Sequence, residues 1–198
     1  MKTPPYALGS TTFGVQGRPV MIGSLFYKGD KKVKDHRNGE VDCQRLEKEM
    51  KAICILGRKV GLDRAVDIIA ETPCAMENYV NFLADMTDDA LLIGGLNEET
   101  RIAGYRRAKD LGITGRCGVN SVSTCTTDEE LAVMKETGIR FAILQTLDPS
   151  AVYPEEKIRL LKEELLGKCV QGGIEGAAVD VGILDFTSAH LAVESIKM

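Results

Sequence analysis

Residues 90–147 have the sequence ALLIGGLNEETRIAGYRRAKDLGITGRCGVNSVSTCTTDEELAVMKETGIRFAILQTL. Three short apolar runs, Ala90–Gly94, Arg116–Val122 and Phe141–Leu147, alternate there with two amphipathic segments. The runs begin about 25 residues apart, the length of one strand-loop-helix-loop unit. Runs this short and apolar are typical of strands covered on both faces, so they predict parallel strands joined by right-handed helical crossovers.

The same alternation continues in both directions along the chain. Six strands are predicted in all: the three above together with Pro19–Phe26, Ala65–Ala70 and Ala177–Leu184. Six helices follow them, at Asp42–Gly57, Cys74–Met86, Asn97–Leu111, Thr127–Thr137, Glu155–Val170 and from Ser188 onward. Thr127 with an acid at Glu130 predicts a helix start, and Gly112 and Gly138 stand where helices commonly end. The chain is therefore α/β, built from repeated β/α units.

Two architectures have this pattern, an open doubly wound sheet and a (β/α)8 TIM barrel. The first strand is not followed by GxGxxG, and no GxxxxGK[ST] motif occurs, which favours the barrel over a nucleotide-binding open sheet. A complete barrel typically has about 250 residues, so six units in 198 residues leave it two units short. We predict one domain over residues 1–198, a TIM-barrel-like fold that is an incomplete (β/α)8 barrel. It is either C-terminally incomplete or completed by another subunit.

The composition excludes several classes of protein. The chain has 25 Lys and Arg against 29 Asp and Glu, a net charge of -4, so it lacks the positive field that nucleic acid requires. No apolar run approaches the roughly 18 residues of a membrane-spanning helix, and the first residues lack the apolar core of a signal peptide, so a cytoplasmic protein is expected. The six cysteines form no CxxC motif and no zinc-like spacing with the two histidines, which predicts reduced, mostly packed thiols and no metal site.

Polar residues lie at the carboxyl ends of the predicted strands, where parallel α/β folds place their chemistry. The candidates for ligand binding are Asp67, Glu71, Asn120, Ser121, Gln145, Asp148 and Asp180. Asn120 and Asp180 lie in predicted strands that are largely apolar, so each needs a partner or a ligand. A loop backbone could satisfy Asn120, and Arg64 or a neighbouring lysine could pair with Asp67. Asp148, followed by Pro and Ser, is also typical of a turn.

An asparagine and an aspartate together can bind a heterocycle that has an amide-like N–H, a ring nitrogen and an amino group. The amide offers a donor and an acceptor, and the carboxylate offers two acceptors. A pterin presents these groups on its hydrogen-bonding face. No GxSxG motif occurs, His190 stands alone and no Cys-His pair is evident, which excludes hydrolases with an activated nucleophile.

Several segments resemble the pterin-binding methyltransferases typified by the tetrahydromethanopterin S-methyltransferase H subunit and its bacterial methyltetrahydrofolate relatives. Five segments occur in the family's order and spacing: GRPVMIGSLFYKGDKKV (17–33), DIIAETPCAMENYVNFLADMTDDALLIGG (67–95), ETRIAG (99–104), GVNSVS (118–123) and AVDVGILD (178–185). They place nearly the whole chain on roughly the first two-thirds of the family's length.

This resemblance implies a TIM barrel that binds a reduced pterin, tetrahydromethanopterin or tetrahydrofolate. It also implies transfer of a methyl group between N5 of the pterin and the cobalt of a corrinoid protein in one-carbon metabolism. Asn120 is similar to the family's pterin-reading asparagine and Asp180 to its carboxylate on the sixth strand, which makes these two the predicted catalytic residues. The protein would orient the pterin, help supply a proton at N5 and dock the corrinoid partner. Methyltransferase subunits or a second copy of the chain are the other expected partners.

One position departs from the family. The family usually has an aspartate at the end of the third strand, in an Ile-Asp-Ser or similar context, where this sequence has Ile93, Gly94 and Gly95. Asp67 or Glu71 from the adjacent strand is the expected substitute. Without one, the alternative is a non-catalytic subunit that docks a corrinoid protein. A third hypothesis is an unrelated open-sheet binding protein, in which the fourth and sixth strands would not share one pocket.

Overall fold

Six parallel strands form the main sheet of the computed structural model, which describes residues 4–15 and 18–198. The strands in chain order are β1 (Tyr6–Leu8), β2 (Thr11–Phe13), β3 (Val20–Leu25), β4 (Val33–Asp35), β5 (Glu40–Val41), β6 (Asp63–Ala70), β7 (Ala90–Gly95), β8 (Cys117–Val122), β9 (Phe141–Gln145) and β10 (Gly176–Asp180). The α-helices are α1 (Cys43–Val60), α2 (Pro73–Met86), α3 (Glu98–Asp110), α4 (Asp128–Thr137), α5 (Pro154–Leu160), α6 (Leu166–Gln171) and α7 (Ala189–Lys197). A π-helical turn, Leu161–Leu165, joins α5 to α6, and 3-10 turns lie at Thr114–Arg116 and Phe186–Ser188.

The order of the strands identifies the architecture. Hydrogen bonds connect them in the order β3, β6, β7, β8, β9, β10, and each neighbouring pair is parallel. This order follows the chain, as in a β/α barrel, whereas a doubly wound sheet reverses its order at a switch point. The sheet curls into a half-barrel with helices along it. The predicted TIM-barrel-like α/β fold is confirmed, and a doubly wound sheet is excluded.

All six predicted strands are present, and the last one differs most from its predicted limits. β10 ends at Asp180 rather than at Leu184, because Gly182 adopts a left-handed conformation with φ 59° and its N–H turns back to Asp180 Oδ1 at 2.8 Å. Two hairpins, β1–β2 and β4–β5, are not predicted by the sequence. Their strands have two or three residues, which is too short for a recognisable period of two.

Side-chain caps begin the helices that cover the sheet. The capping oxygen accepts a hydrogen bond from the backbone N–H three residues later, which satisfies one of the free donors of the first turn. The four caps and their donors are Asp42 with Arg45 N, Thr72 with Ala75 N, Asn97 with Thr100 N, and Thr127 with Glu130 N, at 2.9 to 3.1 Å. Gly138, with φ 80°, ends α4 as predicted.

The core has two parts, one on each face of the sheet. Between the sheet and the helices, Ile68, Leu91 and Val119 pack against buried helix side chains such as Tyr79 and Tyr105. On the face turned away from the helices, called here the inner face, a smaller cluster joins the strands to the first hairpin. Its buried members are Leu8, Phe13, Ala65, Ala90, Leu92, Phe141 and Ile143.

The β1–β2 hairpin covers the amino end of the inner face. The rings of Phe13 and Tyr6 pack on Phe141, with centroids 4.6 and 5.5 Å from it. Thr11 Oγ1 donates to Arg64 O and accepts from Ala90 N, so one hydroxyl ties the hairpin to β6 and β7. Apolar side chains therefore fill the half-barrel at the end where the parallel strands begin.

The outermost strands leave apolar side chains exposed. Met21 and Ile22 are exposed on β3, and Val179 is exposed on β10. No further strand within residues 4–15 and 18–198 pairs with either of these edges. Separately, none of the helices in the described ranges combines the length and apolar character needed to cross a bilayer.

The six cysteines form no disulfide. Cys117 and Cys169 are buried, and burial raises the pKa of their thiols to about 12 and about 11. The others, Cys43, Cys54, Cys74 and Cys125, are exposed or half-buried. The prediction that the thiols are mostly packed is therefore wrong.

Candidate functional site

The inner face changes from apolar to polar at the carboxyl ends of the strands. Alternate residues of a strand face the same side of the sheet. Steps of two residues along each strand, starting from the inner-face core residues, therefore reach further residues on the inner face. One such residue per strand forms what we call the polar row: in sheet order, Ser24, Asp67, Gly94, Asn120, Gln145 and Asp180. Four predicted site residues therefore share one surface. It includes the fourth and sixth strands, contrary to the open-sheet hypothesis.

Asp67 is the most enclosed carboxylate of the polar row, with 6% of its surface exposed. Its Oδ2 accepts a hydrogen bond from Ser24 Oγ at 2.8 Å, and its Oδ1 accepts one from Asn120 Nδ2 at 2.8 Å. Arg64 pairs with Asp89 instead, Nη2 to Oδ1 at 2.8 Å. The suggestion that Arg64 neutralises Asp67 is therefore wrong, and this buried carboxylate is held by two neutral donors.

Gly94 provides the space in which Asp67 and Asn120 meet. β7 lies between β6 and β8, so a side-chain contact between those two strands must cross β7. A Cβ placed on Gly94 would lie 3.0 Å from Asp67 Oδ1 and 3.2 Å from Asn120 O. The Asp67 carboxylate from the adjacent strand thus lies against the space that a side chain at Gly94 would enter, and its expected role as a substitute for the family's acid stays a prediction. Asn120 bonds to this side chain rather than to a loop backbone.

Gln145 continues the polar row on the other side of Asn120. Its Oε1 accepts a hydrogen bond from Ser121 Oγ at 2.9 Å. Asp180 is its register partner on β10. The carboxylate of Asp180 is exposed, and Gly182 N donates a hydrogen bond to it. The prediction that Asp180 needs a partner or a ligand because it is buried among apolar residues is therefore wrong. Position alone keeps Asp180 in the candidate site.

Glu71 and Asp148 lie outside the polar row. Glu71 is half-buried in the turn between β6 and α2. Asp148 accepts hydrogen bonds from Ser150 N and Ser150 Oγ, and from Thr124 Oγ1 at 2.9 Å. The Ser150 side chain and backbone, followed by Thr124, hold the pKa of Asp148 below its usual value. Asp148 therefore organises a turn and links the loops that follow β8 and β9.

Two residues that shape this end of the sheet are not predicted from the sequence. Ser24 is one, although its place in the alternation of β3 could have identified it. Lys168 is the other: its Nζ donates to three carbonyls of the loop after β8, those of Ser123, Thr124 and Thr126, at 3.0, 2.6 and 3.1 Å. These carbonyls lie more than forty residues upstream, so only the fold brings them to the lysine.

The polar row has hydrogen-bonding capacity that the protein does not use. Asn120 donates through Nδ2, which leaves Oδ1 as an acceptor, and Gln145 accepts through Oε1, which leaves Nε2 as a donor. Each Asp67 oxygen accepts one hydrogen bond and has a second lone pair. The arrangement can therefore bind a planar heterocycle with several N–H donors and an acceptor. No group of three or more metal-ligating side chains occurs in the part of the chain described.

A cavity of about 390 Å³ lies at the opposite end of the sheet. Cys54, Asp63, Arg64 and Asp89 are among its lining residues. Three of its charged groups already have partners, because Arg64 binds Asp89 and Asp63 accepts from Thr12 N at 3.2 Å. We therefore place the candidate site at the polar row, where hydrogen-bonding capacity is unused, and not in this cavity.

Comparison with known proteins identifies relatives of the chain. The family model described as tetrahydromethanopterin S-methyltransferase MtrH subunit matches residues 9–197. The tetrahydromethanopterin S-methyltransferase H subunit of Methanopyrus kandleri is 28% identical over 177 residues, which cover 85% of this chain and 55% of the relative. The H subunit of the same enzyme from Methanothermobacter marburgensis is 30% identical over 164 residues, covering 83% and 52%. The chain spans about half the length of the curated relatives it matches.

Proposed function

Because the chain belongs to the family of the tetrahydromethanopterin S-methyltransferase MtrH subunit, we propose that it transfers a methyl group between a reduced pterin and a corrinoid protein. The pterin, tetrahydromethanopterin or tetrahydrofolate, is a substrate that binds at the polar row. The corrinoid is held by a partner protein that docks over the carboxyl ends of the strands. In this reaction the bond between N5 and the methyl group breaks, the methyl group bonds to cobalt, and N5 gains a proton.

The Asp67–Asn120 contact is the observation that carries the proposal. A buried carboxylate needs compensation, and the described part of the chain gives Asp67 two neutral donors, so a ligand that adds N–H donors would complete its environment. A pterin supplies an amide-like N–H and an amino group on one edge of its ring. Asn120 Oδ1 adds an acceptor beside the carboxylate. The same contact fills the gap at Gly94, so a missing acid there does not argue against a pterin site.

The remaining residues of the polar row have distinct roles in this proposal. Gln145 uses its free Nε2 to donate to a ring acceptor, and Ser121 orients its amide through the Oγ–Oε1 hydrogen bond. Asp180 is exposed to solvent beside Gln145, which suits the delivery of a proton to N5 as the methyl group leaves. Asn120 and Asp180 thus remain the proposed catalytic residues, with Asp67 as the main pterin-binding carboxylate.

Calorimetric titration with 5-methyltetrahydromethanopterin and 5-methyltetrahydrofolate tests this proposal. Asn120→Ala removes an acceptor and leaves Asp67 with one partner fewer, so binding should weaken by about 1 to 3 kcal/mol, roughly ten- to a hundredfold. Asn81→Ala is the matched control, since Asn81 is also half-buried and bonded to one side chain, Arg107, but lies on α2. Absence of binding by the folded wild-type chain would refute the proposal.

Methyl transfer is measured separately, from the methylated pterin to cob(I)alamin, by the absorbance of the methylcobalamin formed. Asp180→Asn should slow transfer while leaving the dissociation constant of the pterin nearly unchanged, because it removes a proton donor and not a ring contact. The alternative function, a docking subunit without catalysis, predicts association with a corrinoid protein and no transfer by the wild type. Pterin binding with measurable transfer would exclude that alternative.

A further inference from the structure

A segment rich in basic residues, residues 27–41, lies between β3 and α1. It includes the β4–β5 hairpin and is called here the basic segment. The segment has five Lys and Arg against three Asp and Glu, whereas the whole chain has fewer bases than acids. Four of its bases, Lys28, Lys31, Lys34 and Arg37, are exposed. Ion pairs within the described residues involve none of these four.

Two of the three acids of the basic segment are engaged inside it. Asp30 is 4% exposed, accepts from Phe26 N and Lys32 N, and forms an ion pair with the fifth base, Lys32, at 3.1 Å. Asp35 accepts from the Asn38 side chain at 2.7 Å and from two backbone N–H groups. The Asn38 side chain and backbone, then the backbone N–H of residue 37, hold the pKa of Asp35 below its usual value. The acids thus fix the shape of the segment, and the four exposed bases project from it.

The basic segment borders the polar row. It begins three residues after Ser24, which hydrogen-bonds to Asp67. Its hairpin is fixed to the start of α2, because Thr72 Oγ1 donates to Arg37 O at 2.6 Å and Asn78 Nδ2 donates to Asn38 O at 2.8 Å. Thr72 follows the carboxyl end of β6 by two residues. The exposed bases therefore stand at the rim of the half-barrel on the side of Ser24 and Asp67.

We propose that the basic segment binds an anionic extension, phosphate or carboxylate, of the ligand whose ring occupies the polar row. This inference rests on the proposed function and adds a second subsite to it, one that selects among pterins by their side chains. Lysine and arginine side chains at the rim attract phosphate and carboxylate groups, and because they are exposed their attraction is screened by salt. The ring contacts at Asp67 and Asn120 are more enclosed and should depend on salt much less.

The test compares three ligands with and without the exposed lysines. The ligands are 5-methyltetrahydromethanopterin, which has phosphate and carboxylates, 5-methyltetrahydrofolate, which has carboxylates only, and 6-methyltetrahydropterin, which has no anionic extension. The variant is Lys28→Gln with Lys31→Gln and Lys34→Gln. The control is Lys59→Gln with Lys135→Gln and Lys162→Gln, which removes the same charge from exposed positions on other elements.

We expect the rim variant to bind the two anionic ligands about tenfold more weakly, and 6-methyltetrahydropterin within about twofold of wild type. Raising salt from about 0.1 M to about 1 M, where the Debye length falls from about 10 Å to about 3 Å, should remove most of the difference. The control should match wild type for all three ligands. A larger loss of affinity for 5-methyltetrahydromethanopterin than for 5-methyltetrahydrofolate would identify phosphate as the preferred group. Equal losses for these two ligands, with 6-methyltetrahydropterin unaffected, would identify carboxylate.

Equal losses for all three ligands, or no loss for any, would overturn this inference while leaving the proposed function intact. Binding of none of the ligands by the folded wild type would refute the proposed function and this inference together. Unchanged ligand binding with salt-dependent loss of methyl transfer to a corrinoid protein would instead assign the basic segment to an acidic protein partner, which also contradicts the proposal.

Discussion

The two ends of the parallel strands differ in how their polar groups are satisfied. At the amino end, Arg64 and Asp89 form an ion pair with two hydrogen bonds, at 2.8 and 3.2 Å, and Arg116 donates to the carbonyls of Asp89 and Ala84. At the carboxyl end, each hydrogen-bonded side-chain atom of Asp67, Asn120 and Gln145 has one partner. Each of these side chains also keeps a donor or an acceptor that is not used. The polar groups named at the amino end are satisfied within the protein, whereas those named at the carboxyl end keep unused donors and acceptors.

This difference separates stability from function within one sheet. Side chains that are fully satisfied and packed contribute to the folded state alone, which is the usual role of the amino end of a β/α barrel. Under the proposed function, groups with unused donors and acceptors at the carboxyl end contribute to ligand binding more than to stability. Substitutions of satisfied, packed groups should therefore change stability, and substitutions of groups with unused capacity should change ligand affinity.

Phe141→Ala should have the largest effect, and it should act on stability. The ring is fully buried and packs on Phe13 and Tyr6, so its removal leaves a cavity and should lower the free energy of unfolding by about 3 to 5 kcal/mol. Urea unfolding followed by circular dichroism measures this. Phe186→Ala is the control, since that ring is 95% exposed and its loss should cost less than about 0.5 kcal/mol. A Phe141→Ala protein that is as stable as wild type but binds no pterin would contradict the assignment of the amino end of the strands to stability.

Lys168→Met should have the next largest effect, and it should act on both measurements. The change keeps most of the apolar side chain, and it removes the hydrogen bonds to three loop carbonyls and the ion pair with Glu164 at 3.1 Å. A loss of about 2 kcal/mol in the free energy of unfolding is expected, since these bonds come from a charged donor. The loop follows β8 directly, so pterin affinity should fall as well.

Lys109→Met is the control for this variant. Lys109 forms an ion pair with Glu136 at 3.0 Å in which both side chains are largely exposed, and such pairs contribute about 0 to 1 kcal/mol. Equal unfolding free energies of the Lys168→Met and Lys109→Met proteins would show that Lys168 does not hold the loop.

The sequence predicts the sheet far better than the contacts made on it. Alternation of apolar runs and amphipathic segments is a local pattern, so it identifies the six strands and their parallel order. The partner of Asn120 is not local, because Asp67 lies 53 residues upstream and reaches it only across a third strand. Gly94 shows the limit most clearly, since the resemblance to the family implies a missing acid there. In the fold, the absence of a side chain gives Asp67 its place.

Gly94→Ala sharpens the comparison at the carboxyl end. The added methyl group would lie 3.0 Å from Asp67 Oδ1, so the carboxylate must shift and its contact with Asn120 should weaken. We expect pterin affinity to fall about tenfold, with a change of less than about 1 kcal/mol in the free energy of unfolding. Gly23→Ala is the control, because a methyl group on that β3 residue meets no atom within 4 Å. Unchanged affinity in Gly94→Ala would show that the gap at this position is not used.

Tyr79→Phe should have the smallest effect, and it tests whether unused hydrogen-bonding capacity matters away from the inner face. The Tyr79 ring stacks on Phe26 with centroids 4.0 Å apart, on the helix side of the sheet, and its hydroxyl is buried without a partner among the described residues. Removing that hydroxyl leaves the stacking intact and relieves an unsatisfied donor. The free energy of unfolding near neutral pH should therefore stay the same or rise by up to about 1 kcal/mol.

The pH dependence of stability gives a second measurement on this variant. Burial, followed by the negative charges of Glu71, Asp30 and Asp35, raises the pKa of Tyr79 to about 12. When the pKa of a phenol is higher in the folded than in the unfolded protein, the free energy of unfolding falls as the pH rises from the unfolded-state pKa, about 10, to the folded-state pKa. Unfolding curves across this range should therefore show Tyr79→Phe gaining stability relative to wild type as the pH rises. A variant that is less stable than wild type at neutral pH by more than about 1 kcal/mol would show that the hydroxyl is satisfied, because only a hydrogen-bonded hydroxyl contributes that much to the folded state.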